Sequence, residues 1–168
     1  MTAFGTVFMP EMALTRFDGE QWSPFKMVSS DSISLHPGAH VLHYASTCFE
    51  GLKAFRHDDG SVKIFRMDCN IDRFAQSTQL LALPAIDREQ TQTMIIGVVK
   101  RFAGDVPEVP GSLYIRPTHL GTEPALGKAA APSSTSLQYL LVSPVGRYFA
   151  GCANPKLRPL PGEDGKAR

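Results

Sequence analysis

The hydrophobic pattern switches from a two-residue to a helical period near Asp68, and this switch constrains the fold more than any other feature. Leu52 to Arg56 and Ser61 to Arg66 flank Asp58-Asp59-Gly60, the signature of a β-hairpin. Directly afterwards Asp68 is placed to cap a helix over about Cys69 to Leu83. Ile71, Phe74, Ala75, Thr78 and Leu81 fall on one stripe of it. A hairpin running straight into a helix must share one core with it, so the chain is expected to pack helices on a sheet. The stretch Leu42 to Phe74 then reads as tight turn, strand, turn, strand and helix start. It should bring Tyr44, Phe49 and Glu50-Gly51 close to Arg73, as one wall of a small-molecule site.

The remaining segments extend that picture. Ala13 to Val28 reads as a hairpin turning at Asp18-Gly19. Ser32 to Leu35 is a short strand candidate, stopped by His36-Pro37-Gly38. Leu83-Pro84 ends the first helix. Asp87 to Phe102 is a second helix, with Ile95, Val98, Val99 and Phe102 on its apolar face. Ser112 to Thr118 alternates, Leu113 and Ile115 to one side and Tyr114 and Arg116 to the other. A turn over Gly121 to Pro124 and a loop over Leu126 to Ser134 lead to a buried-type strand, Leu137 to Ser143. Periodicity fades after Gly151. The expected fold is α+β, an antiparallel sheet with two helices on one face.

Composition narrows the function classes. The 168 residues carry a net charge of +1, so no global field points to nucleic acid or a membrane surface. No apolar run approaches the roughly 20 residues needed to cross a bilayer, and the N-terminus lacks a secretion-signal pattern. Three cysteines, Cys48, Cys69 and Cys152, without close pairing suggest free thiols in a reducing, cytoplasmic setting.

Candidate chemistry centres on arginines and aromatics. Arg73, early in a helix, could hold a phosphate with its planar fork; spacing alone favours a solvated arginine pairing with Asp68 or Asp72. Tyr114 and Arg116 form a possible carboxylate clamp, or mark an edge strand, which Pro117 would also suit. Tyr44, Phe49 and Tyr148 adjoin glycine-containing turns and could line an apolar pocket or simply fill a core. His36, His40 and His43 are close in sequence, yet no further ligand completes a metal-site spacing, so no metal is expected. Cys48 reads as a buried, inert thiol rather than a reactive one.

Four segments resemble the branched-chain amino acid aminotransferases, which are fold type IV pyridoxal-phosphate enzymes. LHYASTCFEGLKAFR is similar to that family's LHY-x4-FEG-[LM]-KA-[FY] segment, and KIFRMDCNIDRF to LFRP-x-x-N-x-x-R. SLYIRPTHLGTEPALG is similar to SLY-[IV]-RP-x-x-x-G-x-EP-x-LG, and LLVSPVGRYFAG to SPVG-x-YF-x-GG. The segments occur in family order over about 30 to 151. The resemblance implies Arg73 as the grip on the cofactor phosphate, and Tyr44, Phe49, Tyr114 and Tyr148 around the substrate pocket. It implies Arg116 as the acceptor of glutamate's distal carboxylate, and Leu126 on the loop that reaches the partner subunit of a homodimer. Lys128 stands where the family usually has an apolar residue. The implied reaction is ping-pong transamination of leucine, isoleucine or valine with 2-oxoglutarate, in amino-acid biosynthesis.

The resemblance also implies a catalytic lysine, the Schiff-base lysine before a Gly-Gly-Asn-Tyr segment, and no such segment occurs in these residues. No catalytic residue is therefore assigned. Residues 1–150 are expected to be the small N-terminal domain and 151–168 an interdomain linker, with the chain a fragment inactive by itself. The alternatives are a non-catalytic binding domain that keeps this fold, or a relative of D-amino acid aminotransferases and aminodeoxychorismate lyases. The FEGLKAF and GTEPALG segments speak against the last pair.

Overall fold

The computed structural model describes residues 5–146. Its centre is a seven-stranded sheet in which every pairing is antiparallel. The elements are β1 (Glu11–Phe17), β2 (Lys26–Ser29), α1 (His40–Tyr44), β3 (Thr47–Phe49), β4 (Leu52–Arg56), β5 (Val62–Ile64), α2 (Met67–Leu80), α3 (Arg88–Arg101), β6 (Ser112–Gly121) and β7 (Ser136–Val145). The order across the sheet is β2-β1-β7-β6-β4-β5, with β3 also paired to β6.

The turns form where the sequence signals them. Asp18 accepts hydrogen bonds from the amides of Glu20 and Gln21, both 2.9 Å, and Gly19 adopts φ +112°. The amide of Gly60 reaches the His57 carbonyl, with φ +78° at the glycine. Both glycines occupy backbone space that side-chain-bearing residues avoid.

The two long helices lie on one face of the sheet, as expected. Asp87 caps α3 by accepting from the Gln90 amide at 2.9 Å. Phe74 of α2 and Met94, Ile95 and Val98 of α3 meet Leu52, Ala54, Leu113, Ile115, Leu140 and Val142 of the sheet in one core. Phe74, its largest fully buried side chain, is 1% exposed.

Four local expectations are corrected. α2 starts at Met67, two residues early, because Arg66 takes a left-handed cap position; Asp68 lies inside the first turn and does not cap. There its negative charge favours the positive helix end. Ser32–Leu35 forms no strand, because the chain turns at Ser29 to Ser32 and leaves the edge of the sheet without a ladder to join. His40–Tyr44 is a one-turn helix where a tight turn was expected. Finally, β6 is central, not an edge.

Pro117 is tolerated in a central strand for a visible reason. The registers Phe49↔Thr118 and Leu52↔Ile115 show that β3 and β4 are one strand line, interrupted at Glu50-Gly51. Pro117 lies opposite that interruption. Its carbonyl accepts from the Glu50 amide at 2.9 Å, but it has no N–H to return the bond. The interruption and the proline therefore coincide.

Candidate functional site

The pleat separates the two faces of the sheet cleanly. Leu113 and Ile115 are fully buried against the helices, while Tyr114 and Arg116 are half-buried on the opposite face. Register places Phe49, Gly51 and Lys53 on that second face from β3 and β4, and Tyr139, Leu141 and Ser143 from β7.

A cavity of about 460 Å³ opens there. Phe49, Tyr114, Arg116, Thr118, Tyr139 and Leu141 line it, and Gly5 and Phe8 of the N-terminal segment form one side. Arg116 is its organising charge. Its Nε and Nη2 donate to the Tyr114 hydroxyl at 3.1 and 2.8 Å. Its guanidinium carbon lies 4.3 Å from the centre of the Phe49 ring and 5.3 Å from that of Tyr114. A planar, weakly hydrated cation suits such stacking. Phe49 is 60% exposed, so the aromatic wall faces outward. Gly51 leaves room for the Tyr114 ring: a Cβ there would lie 2.5 Å from the Tyr114 hydroxyl oxygen and would force that side chain to shift.

Arg73 stands apart from that cavity's lining, on the α2 side. Its Nε and Nη2 make a bidentate pair with Glu50 at 2.5 and 2.6 Å, and Nη2 also reaches Asn70 at 3.0 Å. Glu50 is buried, and its carboxylate also accepts from the Gly51 amide at 2.8 Å. Neither Asp68 nor Asp72 is the partner: Asp72 pairs with Arg88, and Asp68 lies 3.8 Å from Arg66. The interruption of the strand line thus points a carboxylate at the helix and fixes an arginine that stays 61% exposed.

Tyr44 and Leu126 are brought together, away from Phe49 and Arg116. The Tyr44 hydroxyl donates to the Leu126 carbonyl, and Tyr44 does not line the cavity. His40, one turn earlier on α1, stacks on Tyr44 with ring centres 4.8 Å apart. Its Nε2 faces the carbonyls of Lys128 and Ala131 at 3.2 and 3.1 Å, and its Nδ1 faces Ser46 Oγ at 2.9 Å. Carbonyls only accept, so Nε2 carries the proton and donates to both. Residues 124–131 are therefore fastened to α1 through three backbone carbonyls. Lys128 pairs with Glu123, whose carboxyl is held down to about 2 by that ammonium and the Ser134 amide. Leu126 itself is 68% exposed. His36 accepts from the Gly38 amide and His43 bonds the Pro37 carbonyl, so each of the three histidines ties down local backbone.

Cys48 is buried against Thr78, and burial pushes its thiol up from the ordinary value, as suits an inert side chain. Tyr148 and Cys152 lie outside the described residues. Sequence reasoning missed the roles of Glu50, His40, Thr118 and Tyr139. The alternation in Leu137 to Ser143 was the available signal for Tyr139, since it puts residues 139, 141 and 143 on one face.

No protein-family model matches the chain. It is 41% identical over 155 residues to the cytosolic branched-chain-amino-acid aminotransferase of Ovis aries, covering 90% of this chain and 40% of that protein. It is 36% identical over 159 residues to branched-chain-amino-acid transaminase 1 of Bacillus subtilis, covering 94% and 43%. In structure it resembles the branched-chain aminotransferase of the archaeon Thermoproteus uzoniensis, solved with norvaline. That match has TM-score 0.62 at 20% identity, over 83% of this chain and 43% of that one. The chain spans about two-fifths of the length of the relatives it matches. Over about nine-tenths of its own length, this chain is homologous to the branched-chain aminotransferases, and it carries the α+β fold of their small domain.

Proposed function

We propose that these residues form the small, substrate-side domain of a pyridoxal-phosphate-dependent branched-chain amino acid aminotransferase. Leucine, isoleucine or valine would be the amino donor and 2-oxoglutarate the acceptor. The observation that carries this reading is the Phe49–Arg116–Tyr114 cluster on the open face of the sheet. Such a transaminase must take an aliphatic side chain and, in the other half-reaction, a carboxylate in the same place. Phe49 and Leu141 offer apolar wall to the first. Arg116, held on aromatic faces and by the Tyr114 hydroxyl, offers the second a weakly hydrated charge.

The residues fit the cofactor's phosphate. Arg73 is exposed, is oriented by Glu50 and Asn70, and has its Nη1 unengaged among the described residues. Arg73 would hold the phosphate there. Bound pyridoxal phosphate supplies the electron sink for moving an amino group. The residues of this chain contribute binding and orientation: Arg73 the phosphate, Phe49 and Leu141 the aliphatic group, Arg116 the distal carboxylate. Tyr148 is proposed on the same pocket from the resemblance. Leu126, presented outward on a loop fastened by His40 and Tyr44, is proposed as the contact to the second subunit of a homodimer. Residues 1–150 would be the small domain, 151–168 the linker, and the setting cytoplasmic.

These 168 residues hold no lysine in the Gly-Gly-Asn-Tyr context, so the polypeptide expressed alone should not turn over leucine and 2-oxoglutarate. The test is amide-detected NMR titration of this polypeptide with inorganic phosphate, beside a turnover assay with pyridoxal phosphate. Shifts centred on Asn70 and Arg73 that vanish in Arg73→Met, together with no turnover, support the reading. Phosphate binding indifferent to Arg73, or measurable transamination by this chain alone, overturns it.

A further inference from the structure

We infer that Thr118 and Tyr139 form a second polar wall of the Arg116 cavity and help to select a dicarboxylic acid over an aliphatic one. This rests on the substrate-pocket reading above and adds two specificity-determining residues to it.

The starting point is how Arg116 spends its donors. A side-on guanidinium fork grips a carboxylate through Nε and one terminal nitrogen, two parallel bonds to two oxygens. In this structure Nε and Nη2 both converge on a single atom, the Tyr114 hydroxyl oxygen. A carboxylate approaching Arg116 therefore meets the terminal nitrogens and not the side-on fork. An ionised carboxylate has about four acceptor sites, and Arg116 so arranged leaves part of them unmet.

Among the described residues, four with hydroxyls line the cavity: Tyr114, Thr118, Tyr139 and Ser143. Tyr114 accepts from Arg116, and Ser143 donates to the Val7 carbonyl at 2.5 Å. Thr118 and Tyr139 have hydroxyls that bond no other side chain or backbone group among the described residues. They are cross-strand partners in the β6–β7 register, and Arg116 is paired to Leu141 one step along the same face. Arg116 thus has Thr118 two residues away on its own strand and Tyr139 on the diagonal. Diagonal neighbours lie about 7–8 Å apart at the backbone, within reach of long side chains. Both hydroxyls can donate to an oxygen held at Arg116. An aliphatic chain in the same space gains nothing from them and can lie along Phe49 and Leu141.

The test uses the 168-residue polypeptide and removes single oxygen atoms, Tyr139→Phe and Thr118→Val. Affinities for 2-oxoglutarate and for 2-oxo-4-methylpentanoate are read by amide-detected NMR titration. The expected result is about a tenfold weaker 2-oxoglutarate affinity in each variant, with the branched acid changed less than about twofold. Arg116→Gln is the parallel arm, in which the preference for the dicarboxylate should collapse. If Arg116→Gln abolishes the preference but Tyr139→Phe and Thr118→Val leave both ligands unchanged, or weaken both equally, the two hydroxyls are not selective and this inference fails alone. If Arg116→Gln leaves the preference intact, or the cavity residues respond to neither ligand, the substrate-pocket reading fails and this inference fails with it.

Discussion

His119 should make this protein lose stability in mildly acidic solution, in a window where few other groups act. It is fully buried, between Trp22 and Phe74, with ring centres 5.4 and 6.4 Å away. Its nitrogens meet only hydroxyls, Ser136 at 2.8 Å and Thr78 at 3.4 Å, and no carboxylate among the described residues bonds it to compensate a positive charge. Burial lowers its pKa from 6.5 to about 4. In the unfolded chain the imidazole takes up a proton near 6.5. Below that pH the unfolded state binds more protons than the folded one, so stability falls as pH falls. Linkage puts the loss at about 2 kcal/mol by pH 5 and about 3 kcal/mol by pH 4, where it levels off. That is a large part of the stability of a small domain. The assay is urea denaturation at pH 7.5, 6, 5 and 4, for the wild type and His119→Gln. Glutamine can keep a hydrogen bond to Ser136 but cannot titrate. The variant should be less stable at pH 7.5 and show a shallower acid slope, by about 1 kcal/mol or more per pH unit between 6 and 5. Equal slopes for the two proteins would refute the reasoning. So would an NMR-detected imidazole pKa near 6.5 for His119.

Three other perturbations separate packing from positioning. Phe74→Ala should destabilise by about 3–5 kcal/mol, seen as a lower urea midpoint with unchanged m-value. Gly51→Ala should cost about 1–3 kcal/mol and displace Tyr114 from Arg116, visible as shifted Tyr114 and Arg116 side-chain resonances. His40→Ala should speed hydrogen exchange at Ala125 and Ala131, the amides that tie the loop, while the amides of Leu113 and Ile115 stay protected.

The sheet and the two long helices were legible because their causes are local. Asp87 and the apolar stripe of α3 belong to one continuous segment, and Tyr114 and Arg116 reveal their face by alternation alone. The misreadings came from long-range partners. Arg73 was paired in expectation with Asp68 or Asp72, its neighbours in sequence, while its partner Glu50 is 23 positions away. The partner of the Tyr44 hydroxyl, Leu126, is likewise long-range, 82 positions away. Pro117 suggested an edge because the sequence hides the break that faces it across the sheet. Motifs of contiguous residues name candidate site positions such as Phe49, Tyr114 and Arg116. The strand period of Leu137 to Ser143 gives Tyr139 its face, but its pairing with Thr118 exists only through the β6–β7 register.

The fastening of the loop by α1 has a consequence for how order spreads through this domain. Five residues are too few to hold helical form by themselves, so α1 persists through what it grips: the carbonyls of residues 126, 128 and 131. Helix and loop are therefore one cooperative unit and not a support with a passenger. Ser46 extends the unit inward, since its hydroxyl bonds His40 and its carbonyl accepts from the Gly121 amide at the end of β6. Whatever steadies Leu126 from outside steadies the last residues of the strand that carries Arg116. By the reciprocity of linked equilibria, a ligand that stiffens β6 will tighten the loop by the same free energy.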